Sequence, residues 1–201
     1  ALWYSSLRMM ESLAQVIGKP WEVDLAERVK QSYQKFWNSE NGCLFDTLNP
    51  EDASIRPNQI IAAAVPDLLP DLKRKSVVEV VTRELLTPYG LRTLSPRDPR
   101  YRGRYEGGPR QRDEAYHQGT VWPWLIGPYV DALLSVNKNS AEGRGKAKEI
   151  LEPLINMKCM GVITIPELFD GDAPHRPGGC ISQAWSVAEV MRAWSENALG
   201  K

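Results

Sequence analysis

Thr120-Val121-Trp122-Pro123-Trp124-Leu125-Ile126-Gly127-Pro128-Tyr129-Val130-Asp131-Ala132-Leu133-Leu134-Ser135-Val136 is apolar nearly all round. A helix without a polar face has no side to give to water, so the stretch predicts a deeply buried helix, with Thr120 as N-cap and Pro123 just inside its start. Pro128 is tolerated only near that start or at a kink. On both sides of this segment apolar residues return at helical spacing. Upstream, Trp3, Leu7, Met10, Ala14 and Ile17 recur at steps of three and four until Gly18 and Pro20 stop the pattern. Leu25, Val29, Tyr33, Phe36 and Trp37 then share a face opposite Glu27, Lys30, Gln34 and Lys35, which makes a second helix and a hairpin with the first. Further helices are expected over 57–65, 71–86, 140–157 and 181–196, the last facing inward through Ala184, Trp185, Ala188 and Met191. Short extended pieces are expected at 43–45 and 162–165, and a long stretch, 87–118, is dense in Pro, Gly and Arg with little periodicity. Loops of that length in compact domains are functional or disordered, and Tyr89, Tyr101, Tyr105 and Tyr116 favour a packed one. The pattern is an all-α array of helical hairpins with long loops and a few short strands.

With 201 residues, 42% of them hydrophobic, the chain holds one good core, so residues 1–201 read as one domain. Lys plus Arg equals Asp plus Glu at 25 each, which gives no reason to expect nucleic acid or an anionic membrane surface. A neutral partner fits better. No apolar run reaches the roughly 18 residues of a membrane span, and no basic-then-apolar leader is seen, so the chain reads as soluble and unexported. Cys43, Cys159 and Cys180 are odd in number and widely spaced, which points to free thiols in a reducing cytoplasm. No cofactor or metal is expected. The chain opens at Ala1 already in helical pattern, and the reading allows for further sequence upstream.

Two segments combine residue types that packing alone does not ask for. The first holds Arg112, Asp113, Tyr116, His117, Gln118, Trp122 and Trp124. Its tryptophans can be plain core, but a sugar-binding cleft wants flat aromatic faces beside hydroxyl partners such as Asp, Gln, His and Arg, and both are present. The second runs from Pro166 through Glu167, Asp170, Gly171, Asp172 and His175 to Cys180. A calcium loop would want alternating oxygen ligands over a longer run. The aspartates can belong to a solvated turn at Asp170-Gly171. Glu167, set between Pro166 and Leu168, is placed for partial burial, the condition that tunes a carboxyl for general acid or base work.

Tyr116-His117-Gln118-Gly119-Thr120-Val121-Trp122-Pro123-Trp124 and Pro166-Glu167-Leu168-Phe169-Asp170-Gly171, continued by Gly179-Cys180 and Gln183-Ala184-Trp185-Ser186, closely resemble the amylo-α-1,6-glucosidase domain of glycogen debranching enzymes. Ala1-Leu2-Trp3-Tyr4 and Arg56-Pro57-Asn58-Gln59 resemble it too. The resemblance implies a six-hairpin α/α toroid of which this chain would be about the second half. It implies inverting hydrolysis of α-1,6 branch linkages in an α-glucan, glycogen or a malto-oligosaccharide, with Glu167 as the general base. Tyr116, His117, Gln118, Trp122, Trp124, Asp113 and Asp170 would bind the substrate. The family's general acid lies in a Trp-Met-Asp segment upstream of the Ala-Leu-Trp-Tyr stretch, so this chain by itself would lack the proton donor.

Two other classes stay open: a glucan-binding protein that does no chemistry, and a toroid lyase or epimerase acting on another sugar. A chain starting midway round a ring would leave its first and last hairpins uncovered. Trp3, Met10, Ile17, Trp185, Met191 and Trp194 are the candidates for such an apolar surface, to be covered by a second copy or by an N-terminal half.

Overall fold

The apolar run at 120–136 is divided into three in the structure, a computed structural model that describes residues 1–21, 24–157 and 161–198. Val121–Trp122 is a strand, Pro123–Leu125 a 3-10 turn with proline at its start, and Ile126–Val136 the helix, with Pro128 in the first turn. Thr120 caps nothing. Both residues of this strand are buried, so it reads as part of a continuous apolar run, which periodicity does not separate from a buried helix.

In chain order the elements are α1 (Leu2–Val16), α2 (Asp24–Tyr33), β1 (Trp37–Asn38), β2 (Cys43–Leu44), β3 (Thr47–Leu48), β4 (Glu51–Asp52), α3 (Asn58–Ala64) and α4 (Asp71–Leu85). There follow β5 (Leu86–Thr87), β6 (Gly90–Arg92), α5 (Pro109–Ala115), β7 (Val121–Trp122), α6 (Ile126–Val136), α7 (Ala141–Ile155), β8 (Leu168–Phe169), β9 (Pro177–Gly178) and α8 (Ala184–Ala193). A π-type turn, Trp194–Ala198, extends α8. The protein is mostly helical, as expected. Its short strands are better organised than expected: β5 to β9 join in sequence order into one antiparallel sheet, while β1–β2 and β3–β4 form separate pairs.

Helix α6 is the hub, packed against α3, α4, α7 and α8. It buries Ile126, Tyr129, Val130, Leu133 and Leu134, each such side chain contributing about 1.5–3 kcal/mol relative to exposure. The Tyr129 hydroxyl does not go unpaired in this core, lying 2.8 Å from the hydroxyl of Thr82 on α4. Arg192 of α8 spans to Asp131 of α6 at 2.7 Å. These helices approach closely because small residues meet: Ser186 and Ala193 are buried on α8, and a Cβ at Gly127 of α6 would run into Glu189. The inward face of α8 is therefore Ser186, Val190 and Ala193; of the expected inward residues, Ala184, Ala188 and Met191 are exposed, and Trp185 is half-exposed beside Trp122 and Trp124.

The hairpin of α1 and α2 forms, with Tyr4, Leu7, Ala14 and Ala26 buried. Beyond Tyr33 the expected second helix tightens into a 3-10 turn, Gln34–Phe36, and Trp37 enters β1 opposite Leu44. The other face of α1 is uncovered: Leu2, Trp3, Met9, Met10, Leu13, Val16 and Ile17 are all exposed. Met191 is exposed as well, while Trp194 is half-buried. The 87–118 stretch is packed and holds α5, a two-turn helix that periodicity misses because only Ala115 on it is buried. At 162–165 no strand forms beyond an isolated bridge at Val162. Cys43 is a buried free thiol and Cys180 an exposed one, and Cys159 lies outside the described residues. No helix among the described residues is long and apolar enough to cross a membrane.

Candidate functional site

Sheet pairing brings the two chemistry-bearing segments together. Val121 of β7 pairs with Phe169 of β8, and Leu168 pairs with Gly178 of β9, so Glu167, Tyr116 and the Gly179-Cys180 turn converge at one end of these strands. The backbone N–H of Glu167 donates to the Cys180 carbonyl (2.9 Å), and the Cys180 N–H returns to Glu167 Oε2 (2.8 Å). The Tyr116 hydroxyl donates to Oε1 of the same carboxylate. Each carboxylate oxygen thus accepts one hydrogen bond. The turn that delivers the Cys180 amide needs glycine at 179, where φ is +68° and an added Cβ would sit 2.9 Å from Glu167 Cβ.

Glu167 is only 8% exposed. Burial pushes its carboxyl up, but the hydrogen bonds from Tyr116 and Cys180, with His117 close by, outweigh that and leave it below the ordinary carboxylate range. It is an anion at neutral pH. Burial, together with Glu167, pushes the Tyr116 phenol well up, so this hydroxyl stays protonated and donating. His117 is pushed down, first by burial and then by the charge of Arg56, and Glu167 only partly offsets this. Its ring is neutral at pH 7.

Around this carboxylate lies a cleft of about 360 Å³, walled by His117, Trp122, Trp124 and Trp185. The His117 ring stacks on Trp122 at 5.1 Å between centroids and 18° between planes. Trp185 meets Trp122 at 6.0 Å and Trp124 at 5.8 Å. Asn58, Thr93 and Gln183 add polar groups to the rim. Flat aromatic faces beside hydroxyl partners are what a sugar ring presents its C–H and O–H groups to.

Of the residues singled out in the sequence, Tyr116, His117, Trp122, Trp124 and Glu167 come together here. Three do not. Asp113 is exposed on α5, outside the cleft lining. Gln118 points away, its Oε1 accepting from Arg56 Nη2 at 2.9 Å. Asp170 is 2% exposed and spoken for: it pairs with Arg176 (2.7 Å) and Arg104 (3.4 Å) and accepts from the Tyr105 N–H (2.7 Å). The alternative of a solvated turn does not hold at Asp170, which is a buried ion-pair node because Arg104 comes in from the 87–118 stretch. Arg104 orders that loop and also donates to the Ala173 carbonyl (2.7 Å), while Arg110 pairs with Glu114 on its own helix.

Sequence reasoning does not place Trp185 or Gln183 in the cleft: it gives Trp185 to the inward face of the last helix or to an apolar surface, and Gln183 only to a family-like stretch. It also missed the task of Arg56, whose guanidinium donates to the carbonyls of Thr93 (3.1 Å) and His117 (2.8 Å) and so anchors the His117 loop. The signal for Arg56 lay only in its neighbourhood to Pro57, Asn58 and Gln59.

In class this is a mostly helical protein with a cleft in which an anionic carboxylate is set among aromatic faces. Residues 1–192 match the family model described as amylo-alpha-1,6-glucosidase, and the chain belongs to that family. It is also 36% identical over 107 residues to the glycogen debranching enzyme of Saccharomyces cerevisiae, an alignment that takes in 49% of this chain and 7% of that protein. The chain therefore spans a small part of that relative.

Proposed function

We propose that this chain is the base-bearing part of an α/α-toroid glycosidase that hydrolyses α-1,6 branch linkages of an α-glucan with inversion. Glu167 is the general base: held as an anion in a cleft, it takes a proton from the water that attacks the anomeric carbon. Trp122, Trp124, Trp185 and His117 hold the glucosyl unit, and Asn58 and Gln183 meet its hydroxyls. The proton for the departing oxygen comes from a carboxylic acid in the upstream Trp-Met-Asp segment, which inversion places roughly 6.5–9.5 Å from the base to leave room for water. The observation that carries this reading is the doubly hydrogen-bonded Glu167 carboxylate in an aromatic cleft. The free thiols Cys43 and Cys180 support a cytoplasmic setting.

The test is Glu167→Gln in a chain extended to carry the upstream segment. Glucose release from a branched glucan should fall by a factor on the order of hundreds or more, with malto-oligosaccharide affinity retained. Undiminished release would remove Glu167 from the chemistry.

For the 201-residue chain by itself we place a second copy on the open face of α1. Leu2, Met9 and Val16, and beside them Trp3, Met10 and Ile17, form two exposed files at seven-residue spacing, the geometry by which like helices pack along a shared seam. In a longer protein an upstream helix would take that place.

A further inference from the structure

We propose that Tyr116 is a positioning residue for Glu167, its hydroxyl engaged with the carboxylate and not with the sugar. The proposal rests on the reading of Glu167 as the base. Tyr116 lines the cleft, and an aromatic residue there invites assignment as a sugar platform. Its surroundings argue otherwise. The ring is held edge-on by Trp122 (5.0 Å, 76°) and His117 (4.8 Å, 65°), with Tyr105 on a further side (5.9 Å). Its backbone is pinned too: the Tyr116 carbonyl accepts from Thr120 Oγ1 (2.7 Å) and from the Trp122 indole N–H (3.1 Å). Thus the ring is packed against three aromatic neighbours, and its hydroxyl is engaged with Oε1.

The consequence for the carboxylate is geometric first. A carboxylate has about four lone-pair sites on two oxygens. Tyr116 takes one on Oε1 and the Cys180 amide one on Oε2, which fixes the plane of the group and leaves one site on each oxygen. A base that must accept a proton from one water at one angle gains from such pre-organisation. The second consequence is that both donors favour the anion, so the base is unprotonated when substrate arrives. The titratable or charged groups facing Glu167 are Tyr116, His117 and Cys180, with Arg56 acting through His117 and Tyr105 through Tyr116. Of these Tyr116 is the one whose hydroxyl donates to Oε1, and its raised phenol keeps that proton near neutral pH.

The experiment is Tyr116→Phe in this chain, with the Glu167 carboxyl followed by carbon NMR as pH is varied. Its midpoint should rise by about one unit or more. Affinity for maltotetraose, read from tryptophan emission, should stay within about twofold of the parent, because no sugar contact is lost. In the extended, active protein the acid limb of the pH–rate profile should move up by the same interval. An unmoved midpoint overturns the proposal, as does a tenfold loss of affinity, which would make Tyr116 a sugar contact. Should the variant not fold, the reverse experiment decides: in Glu167→Gln the Tyr116 phenol should titrate nearer the usual tyrosine range than in the parent, and no change there refutes the pairing. Neither NMR titration needs turnover, so a failure of the base assignment would show separately, as unimpaired glucose release by Glu167→Gln.

Discussion

Gly179→Ala should damage the site and the fold together, and the size of the effect follows from the backbone. Position 179 has φ +68°, a left-handed conformation that costs an L-residue with a Cβ roughly 1–2 kcal/mol. The new methyl would also sit 2.9 Å from Glu167 Cβ and closer still to Oε2, an overlap of the kind that costs about 1–3 kcal/mol when neighbours must shift. Together these predict a loss of about 2–5 kcal/mol. For a chain of this size each kcal/mol moves Tm by about 2–4 °C, so Tm should fall by roughly 4–20 °C. Thermal melts by circular dichroism, paired with guanidinium titration, measure it. Gly145→Ala serves as the opposite control: its site in α7 has nothing within 4 Å of an added Cβ, and helix propensity predicts a gain of about 0.5–1 kcal/mol. A Gly179→Ala protein melting within about 1 °C of the parent would refute the close-approach argument.

Adding malto-oligosaccharide at millimolar level should perturb tryptophan emission through Trp122, Trp124 and Trp185, and Trp185→Ala should weaken that binding several-fold; a flat titration of the parent counts against the cleft. Asp98 is held down to about 2 chiefly by its hydrogen bond from Arg100, below the roughly 3.9 of an unfolded aspartate. A depressed carboxyl stabilises the fold above its unfolded value and loses that contribution as pH falls through the folded one. Asp98→Asn should therefore cost on the order of 1 kcal/mol at pH 7, discounted for the half-exposed Arg100, with the difference from the parent vanishing between about pH 4 and 2. A difference that persists unchanged into acid would show the ion pair to be idle. Sedimentation of the 201-residue chain at micromolar concentration should show a dimer that dissociates when Met9 and Leu13 are changed to Lys; a single species near 23 kDa, unchanged on dilution, would defeat that interface.

What could be read from the sequence followed the strength of the periodic and capping signals. Helix α1 was legible because Gly18 ends its apolar repeat, and the start expected for α7 at 140 coincides with the Ser140 cap, which accepts from the Gly143 N–H at 3.1 Å. Helix α5 was not, since a two-turn helix lying on the surface has no face to bury. Strand β7 was hidden inside an apolar run because both of its faces are covered. In the site, Glu167 and Trp122 stood out by their neighbours. Gln118 and Asp170 look in the sequence like residues that line a cleft, and only the arrival of Arg56, Arg104 and Arg176 from distant parts of the chain shows them engaged elsewhere, while Asp113 lies exposed on α5.

The donor to Glu167 Oε2 is a main-chain amide, and this governs how the protein can drift over generations. No replacement of the Cys180 side chain deletes that donor except proline, which alone lacks the N–H. Position 180 is exposed, so a thiol there can be lost or gained without deleting that amide donor. The burden of inheritance falls one residue earlier, on a glycine with no chemistry of its own, and a census of variants should find tolerance and intolerance side by side at two adjacent codons.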